Sequence, residues 1–353
     1  QKSRCVPLGV GAAVPRACVY NRDMEHLVQK SDEWIQTRTG ISSRHILGGA
    51  EEESATAGGG DLAGLATRAA AAALENACCD AEDVDLVILA TSSQDDLFGD
   101  AATVACGVGA DHAVAFDLTA ACSGFLFAVV TAAQFLHSGA YQRALVVGAD
   151  ALSRWVDWGD CNTSVLFGDG AGAMVLGATA AESADGHGIL GFAMHSDGSG
   201  HDKLHLKFSG APHALHPKGI SATKGQYTHI HMSGGEVYSF AVERVPQVVL
   251  EALENADMPI EEVDWFLLHQ ANIRILESFA RKLHVPMAKL ISNLKSYGNT
   301  SAGSIPLALS EAVRSGRVIP GDVIVCAGFG AGLSWGAVVL RWGGPAASVV
   351  EPQ

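Results

Sequence analysis

One stretch of the chain occurs twice. Ala73-Leu74-Glu75-Asn76-Ala77 returns as Ala252-Leu253-Glu254-Asn255-Ala256, and Asp83-Val84-Asp85 returns as Glu262-Val263-Asp264. Both matches run from residue i to residue i + 179, and each is followed by an apolar run, Leu86-Val87-Ile88-Leu89-Ala90 and Trp265-Phe266-Leu267-Leu268-His269. Phe167-Gly168-Asp169-Gly170 is echoed later by Phe329-Gly330-Ala331-Gly332. Several matches in one order predict a duplicated unit, each copy about half the chain, which places the boundary near residue 180 (1–180 and 181–353).

Within each copy the pattern alternates. An Ala-rich amphipathic segment, Asp61–Ala77, precedes a continuous apolar run that suits a strand buried on both faces. Cys122–His137 is apolar at helical spacing and stops at Ser138-Gly139, and Ala144–Ala149 reads as another buried strand. The alternation predicts an α/β fold with mostly parallel or mixed sheets between helical layers. Glu182–Gly225, rich in His, Gly, Ser and Lys, is expected to be an irregular surface excursion.

Composition narrows the classes. Of 353 residues, 48% are hydrophobic, enough for a large core or two ordinary domains. A net charge of −15 argues against nucleic acid as a partner, since phosphate binding needs a basic surface. No run of 18 apolar residues occurs, so no membrane-spanning helix is expected. The eight cysteines show no CxxC, so neither a disulfide framework nor a metal site is expected and a reducing compartment is the default. The chain opens on Gln1, so any targeting segment is expected upstream of it.

Three residues carry the chemistry. Cys122 sits where a strand-like segment gives way to an apolar helix, and the positive end of a helix favours thiolate over thiol. Cys106 and Cys326 read as inert buried cysteines. His269 ends a very apolar strand before the helix Ile273–Leu283, and Asn299 lies in Gly298-Asn299-Thr300-Ser301. Taken singly, each has a bland reading, as a satisfied core histidine and a helix N-cap. The 179-residue offset carries Cys122 onto Ser301, beside Asn299, so a symmetric pair of turns would bring Cys, His and Asn together at the junction of the halves.

Six motifs then stand in one order: Thr37-Arg38-Thr39-Gly40-Ile41, Ala120-Ala121-Cys122-Ser123-Gly124, Phe167-Gly168-Asp169-Gly170-Ala171-Gly172-Ala173, His269-Gln270-Ala271-Asn272, Gly298-Asn299-Thr300-Ser301 and Gly328-Phe329-Gly330-Ala331-Gly332. With them, from about Pro7 to Trp342, the chain resembles the β-ketoacyl-acyl-carrier-protein synthase III family, most closely its plastid and cyanobacterial members. The resemblance implies a thiolase-like duplicated fold, five-layered α-β-α-β-α with two mixed sheets. It also implies an initiating condensation of acetyl-CoA with malonyl-acyl-carrier protein, with Cys122 as acyl carrier and His269 and Asn299 as donors to the enolate oxygen. Backbone N–H groups of Cys122 and of the Gly330-Ala331-Gly332 turn would serve the acyl carbonyl. Phe329 would pack by the sulfur, and Phe98 would line the acyl pocket across a dimer interface.

For CoA and phosphopantetheine the resemblance implies Trp34, Arg38 and Asn272. CoA thioester and phosphopantetheine would be substrate carriers, with no tightly bound cofactor. Arg274, Arg281 and Lys282 form a small basic face on an acidic chain, which suits docking of the acidic acyl-carrier protein. Two departures stand in the cofactor region: Asp160-Cys161-Asn162-Thr163 lacks the family's Arg, and Gly234-Gly235-Glu236-Val237 lacks its Asn. The resemblance further implies a homodimer, in the plastid stroma of a eukaryote or the cytoplasm of a bacterium. A related enzyme using another acyl-CoA primer is the nearest alternative. A Cys-His-Asn thiol hydrolase is the rival from another class, and it explains neither the duplication nor the glycine turns.

Overall fold

The computed structural model describes residues 3–48, 60–180, 186–216 and 218–345. β1 (Ser3–Ala13), β2 (Leu86–Ala90), β3 (Val114–Leu118), β4 (Arg143–Asp150) and β5 (Gly170–Ala180) form one sheet in the order β1-β5-β4-β2-β3. β6 (Gly188–Ser196), β7 (Trp265–Leu268), β8 (Val323–Gly330) and β9 (Ser334–Arg341) form a second, in the order β7-β8-β9-β6. The pairings repeat. β1 is antiparallel to β5, β5 to β4, and β4 is parallel to β2. Likewise β6 is antiparallel to β9, β9 to β8, and β8 is parallel to β7. A parallel bridge from Phe266 to Leu290 stands where β3 stands in the first sheet.

Among the described residues, the helices of eight or more residues are α1 (Asn21–Val28), α2 (Asp32–Thr39), α3 (Leu62–Ala77), α4 (Ala101–Val108), α5 (Gly124–His137), α6 (Gly234–Asn255), α7 (Ile273–Leu283) and α8 (Ser304–Arg314). Strand alternation decides the layering, because successive side chains leave opposite faces. Leu86, Ile88 and Val146 point into a cluster with α5, α8, Ile324, Cys326 and Val338, while Val87, Leu89 and Val147 pack on α3 and α4. Phe266, Val325 and Val339 pack on α6 and α7. The result is the five-layered α-β-α-β-α thiolase-like fold with two mixed sheets, α5 and α8 forming the middle layer. Burial of each such Leu, Ile or Val contributes roughly 1.5–3 kcal/mol.

The repeated residues have repeated duties. The Asn76 side chain at the end of α3 accepts from Val10 N at 2.9 Å, and the Asn255 side chain at the end of α6 donates to Phe192 O at 3.0 Å. Each amide ties its helix to the first strand of its sheet. A Cβ on Gly9 would lie 2.5 Å from Ala77 N, and one on Gly191 would lie 2.6 Å from Ala256 N, so both contacts require glycine. Asp85 and Asp264 match as well: each precedes a strand, β2 or β7, and accepts from the first backbone N–H of the strand paired with it, at Arg143 of β4 and Val323 of β8.

Two expectations need correction. Glu182–Gly225 is not irregular: it contains β6 and a hairpin of Phe208–His216 with Ile220–Tyr227, whose described residues are exposed throughout. Residues 182–185 and 217 lie outside the described residues. The glycines that suggested a loop are what let β6 lie against α6, as at Gly191. The second correction concerns register. Ala121 (φ 48°) and Ser301 (φ 50°) begin the two equivalent turns, Ala121–Ser123 and Ser301–Gly303, which open α5 and α8. Here the offset is 180, so the counterpart of Cys122 is Ala302. Ser301 meets Cys122 as a neighbour across the pseudo-symmetry.

Candidate active site

Cys122 occupies the 3₁₀ turn just before α5 and is 7% exposed. It lies on the wall of a cavity of about 1120 Å³, together with Ser301, Ala331, Gly332 and Ser334, and with Leu97, Phe98 and Tyr227 further along. The Ser301 hydroxyl stands 3.3 Å from the Cys122 sulfur. A Cβ on Gly330 would lie 2.6 Å from Cys122 N, so the last residue of β8 presses its bare backbone against the turn carrying Cys122.

The thiol is not held as a thiolate at rest. Burial pushes its pKa up to about 12; the Ser301 hydrogen bond pulls it back in part, and the Asp150 charge pushes the same way as burial. Loss of solvation outweighs the helix terminus invoked from sequence. Cys326 is buried, with its pKa also raised to about 12 by burial, whereas Cys106 is exposed, contrary to expectation.

His269 follows β7 and is 2% exposed; its backbone N–H donates to Ala327 O. Burial lowers its pKa to about 3, so the ring is neutral. Its Nδ1 lies 2.7 Å from Ser304 Oγ, at the first residue of α8, and Ser304 Oγ also accepts from Gln270 N at 3.5 Å. With the Ser304 hydroxyl donating to Nδ1, the ring proton resides on Nε2, which makes Nε2 a hydrogen-bond donor. Asn299 is 6% exposed; its Oδ1 accepts from Ser301 N at 2.9 Å, which leaves its amide NH₂ to donate elsewhere. Phe329 links the group, its ring 5.5 Å edge-on from the His269 ring. His269 and Asn299 are not among the residues lining this cavity, and Asn299 adjoins it through Ser301.

The other candidates fall in separate places. Trp34 on α2 is covered by the Lys30 and Arg38 cations at 5.2 and 5.0 Å from its ring centre. Trp34, Trp158 and Cys161 pack against one small cluster of Met24, Val28, Ile35 and Val165, so the departure at Cys161 lies on the same cluster as Trp34. Asn272 caps α7, its Oδ1 accepting from Arg274 N, and the end of α2 abuts Ile273 through Gly40. Gly235 has open space around it, so no packing demands glycine there. Phe98 is 98% exposed in the single chain. Arg274 lies over the Tyr238 ring, Lys282 Nζ donates to Val242 O, and Arg281 is exposed on the same helix.

Sequence reasoning passed over Ser304 and Asp150. Asp150 ends a buried strand as its one acidic residue, a signal available in Ala144–Asp150; Ser304 carries none on its own.

Known proteins sharpen this geometry. Residues 116–198 match the family model described as 3-oxoacyl-[acyl-carrier-protein (ACP)] synthase III, and residues 253–342 match the model of its C-terminal part. A β-ketoacyl-[acyl-carrier-protein] synthase III of Thermosynechococcus vestitus is 53% identical over 334 residues, covering 95% of this chain and 97% of that protein. The chain belongs to the β-ketoacyl-[acyl-carrier-protein] synthase III family. The crystal structure of 3-oxoacyl-[acyl-carrier-protein] synthase III from Aquifex aeolicus superimposes with a TM-score of 0.83 at 40% identity, over 96% of this chain and all of that one. The priming β-ketosynthase of the R1128 polyketide pathway superimposes with a TM-score of 0.85 at 33% identity, over 98% of each chain. The family membership agrees with the condensing-enzyme reading of the motifs.

Proposed function

We propose that this synthase III family member condenses acetyl-CoA with malonyl-acyl-carrier protein, giving acetoacetyl-acyl-carrier protein, CoA and CO₂ and so starting fatty-acid synthesis. The observation that carries the mechanism is the two-sided setting of Cys122, with Gly330 backbone against its N–H and Ser301 against its sulfur. Cys122 attacks the acetyl thioester, its sulfur–carbon bond forms, and CoA leaves as its thiol. The acyl oxygen then points at the Cys122 N–H and the Gly330-Ala331-Gly332 turn.

In the second half-reaction the malonyl carboxylate departs as CO₂, and charge collects on the thioester oxygen. Neutral His269 Nε2–H and the Asn299 amide donate to that oxygen. The enolate carbon attacks the acyl group and Cys122 is released. Burial serves this step, since a dry site strengthens both hydrogen bonds.

Trp34, Arg38 and Asn272 hold CoA and phosphopantetheine, and Arg274, Arg281 and Lys282 receive the carrier protein. A second copy covers Phe98, and the chain works wherever type II fatty-acid synthesis does, a bacterial cytoplasm or a plastid stroma. A primer survey with acetyl-, butyryl- and branched acyl-CoA in the presence of malonyl-acyl-carrier protein tests the reading. Acetoacetyl-acyl-carrier protein from acetyl-CoA supports it. Preference for a longer primer moves the activity to a related condensing enzyme using another acyl-CoA primer, and hydrolysis without a ketoacyl product contradicts condensation.

A further inference from the structure

The duplication produced two turns of one geometry, and they have been finished differently. Ala121–Ser123 and Ser301–Gly303 each start with a left-handed residue and each open a middle-layer helix. Each faces the last residue of a strand, Gly330 for the first and Asp150 for the second. At the first turn there is no side chain at all, and Cys122 N–H faces a glycine. At the second the Asp150 carboxylate accepts from Ala302 N, the counterpart of Cys122 N, at 3.1 Å. One anion-binding turn is left open, and the other is filled from within the protein.

We propose that Asp150 is a positioning residue for the nucleophile, acting through Ser301: it anchors the second turn against the first and sets the direction of the hydroxyl that faces the Cys122 sulfur. The inference rests on Cys122 being the nucleophile.

Asp150 is fully buried. Thr91 Oγ1, Ser92 N and Ser93 Oγ donate to its Oδ1 at 3.1, 2.8 and 2.7 Å, from the loop that follows β2. Ser301 stands next to Ala302, the residue that Asp150 holds. Ser301 also pulls the Asp150 carboxyl down against the upward push of burial. The Ser301 hydroxyl donates to the Cys122 sulfur, a bond that is stronger to a thiolate than to a thiol. The carboxylate charge therefore favours the protonated cysteine, whereas the hydroxyl favours the thiolate, in line with the opposite signs the two groups exert. During acylation the proton balance closes on CoA, which takes up the proton that Cys122 loses.

Asp150 from β4 is the charged group that acts on the sulfur, and His269 at the end of β7 is neutral. Beyond them, the Asp95–Arg154 ion pair borders the loop that grips Asp150, through Arg154 Nη1 donating to Ser93 O.

The test is the pH profile of iodoacetamide alkylation at Cys122, read by mass spectrometry on the full chain, for the native protein, Ser301→Ala, Asp150→Asn and the double variant. Ser301→Ala should move the midpoint upward and Asp150→Asn downward. A midpoint displaced by about one pH changes the rate on the rising limb roughly tenfold. The double variant should depart from the sum of the two, because one acts through the other. A merely structural role moves neither midpoint, and unshifted or same-direction profiles overturn the proposal, as does strict additivity. If Asp150→Asn does not fold, Ser93→Ala, which removes a hydroxyl that holds the carboxylate, takes its place: a displaced midpoint supports the coupling and an unchanged one removes it. Alkylation needs no acyl-CoA, so the test stands apart from the condensation assay.

Discussion

Replacing Gly330 by alanine is the most discriminating perturbation of the acyl site. The added methyl would sit 2.6 Å from Cys122 N, 3.0 Å from the Ala121 Cβ and 3.3 Å from the Cys122 Cα. Two of those atoms belong to backbone, so the turn itself must move. Overpacking of this kind costs about 1–3 kcal/mol of stability, and displacement of one oxyanion donor costs roughly 10²–10³ in rate. Gly328, two residues earlier on the same face of β8, is the control: its Cβ would find Ile305, Leu126 and His269 side chains at 3.5–3.6 Å, ordinary contact. Single-turnover transfer from radiolabelled acetyl-CoA should therefore fall about a hundredfold in Gly330→Ala and remain near native in Gly328→Ala. Native acylation in Gly330→Ala, in a protein that unfolds at the native temperature, would refute the assignment of that turn to the acyl oxygen.

Other expectations follow from the same geometry. His269→Ala and Asn299→Ala should each slow decarboxylation of malonyl-acyl-carrier protein by about 10²-fold or more while acetyl transfer falls less; equal losses in both half-reactions would place these residues elsewhere in the cycle. Because burial holds His269 neutral, with a pKa of about 3, protonation of this ring should not alter decarboxylation by preformed acetyl-enzyme between about pH 5 and 8. A histidine inflection near pH 6.5, lost in His269→Ala, would contradict a neutral ring. Arg274→Glu should raise KM for malonyl-acyl-carrier protein and spare acetyl-CoA, since charge reversal on a docking face acts on the partner alone. Sedimentation should give a dimer of the 36.6 kDa chain, and Phe98→Asp should weaken it; a native monomer would leave Phe98 without its expected cover.

The duplicated fold was legible because its marks are short, local and physically necessary. Asn76 and Asn255 tie helices to edge strands, and Asp85 and Asp264 hold the starts of the strands paired with β2 and β7, so these residues repeat in sequence. The apolar runs of β2, β4 and β7 likewise announce buried strands. β6 was hidden because its glycines, needed where the strand meets α6, read as loop residues. At the site, Cys122, His269 and Asn299 could be named from motifs. The thiol's protonation could not, because desolvation depends on packing from both halves. Nor could Asp150 be connected with Cys122, since the link runs through a hydroxyl 151 positions along the chain from the carboxylate. The one-residue change of register between the copies was equally invisible until the two left-handed residues, Ala121 and Ser301, were seen to match.

The central claim is that Cys122 carries the acyl group into a condensation. Intact-protein and peptide mass spectrometry after exposure to acetyl-CoA, followed by addition of malonyl-acyl-carrier protein, tests it most directly. The account predicts one acetyl group on the Cys122 peptide, absent in Cys122→Ser, which disappears as acetoacetyl-acyl-carrier protein forms. Acetylation of another residue, or loss of the acetyl group to water with no ketoacyl product, would contradict it.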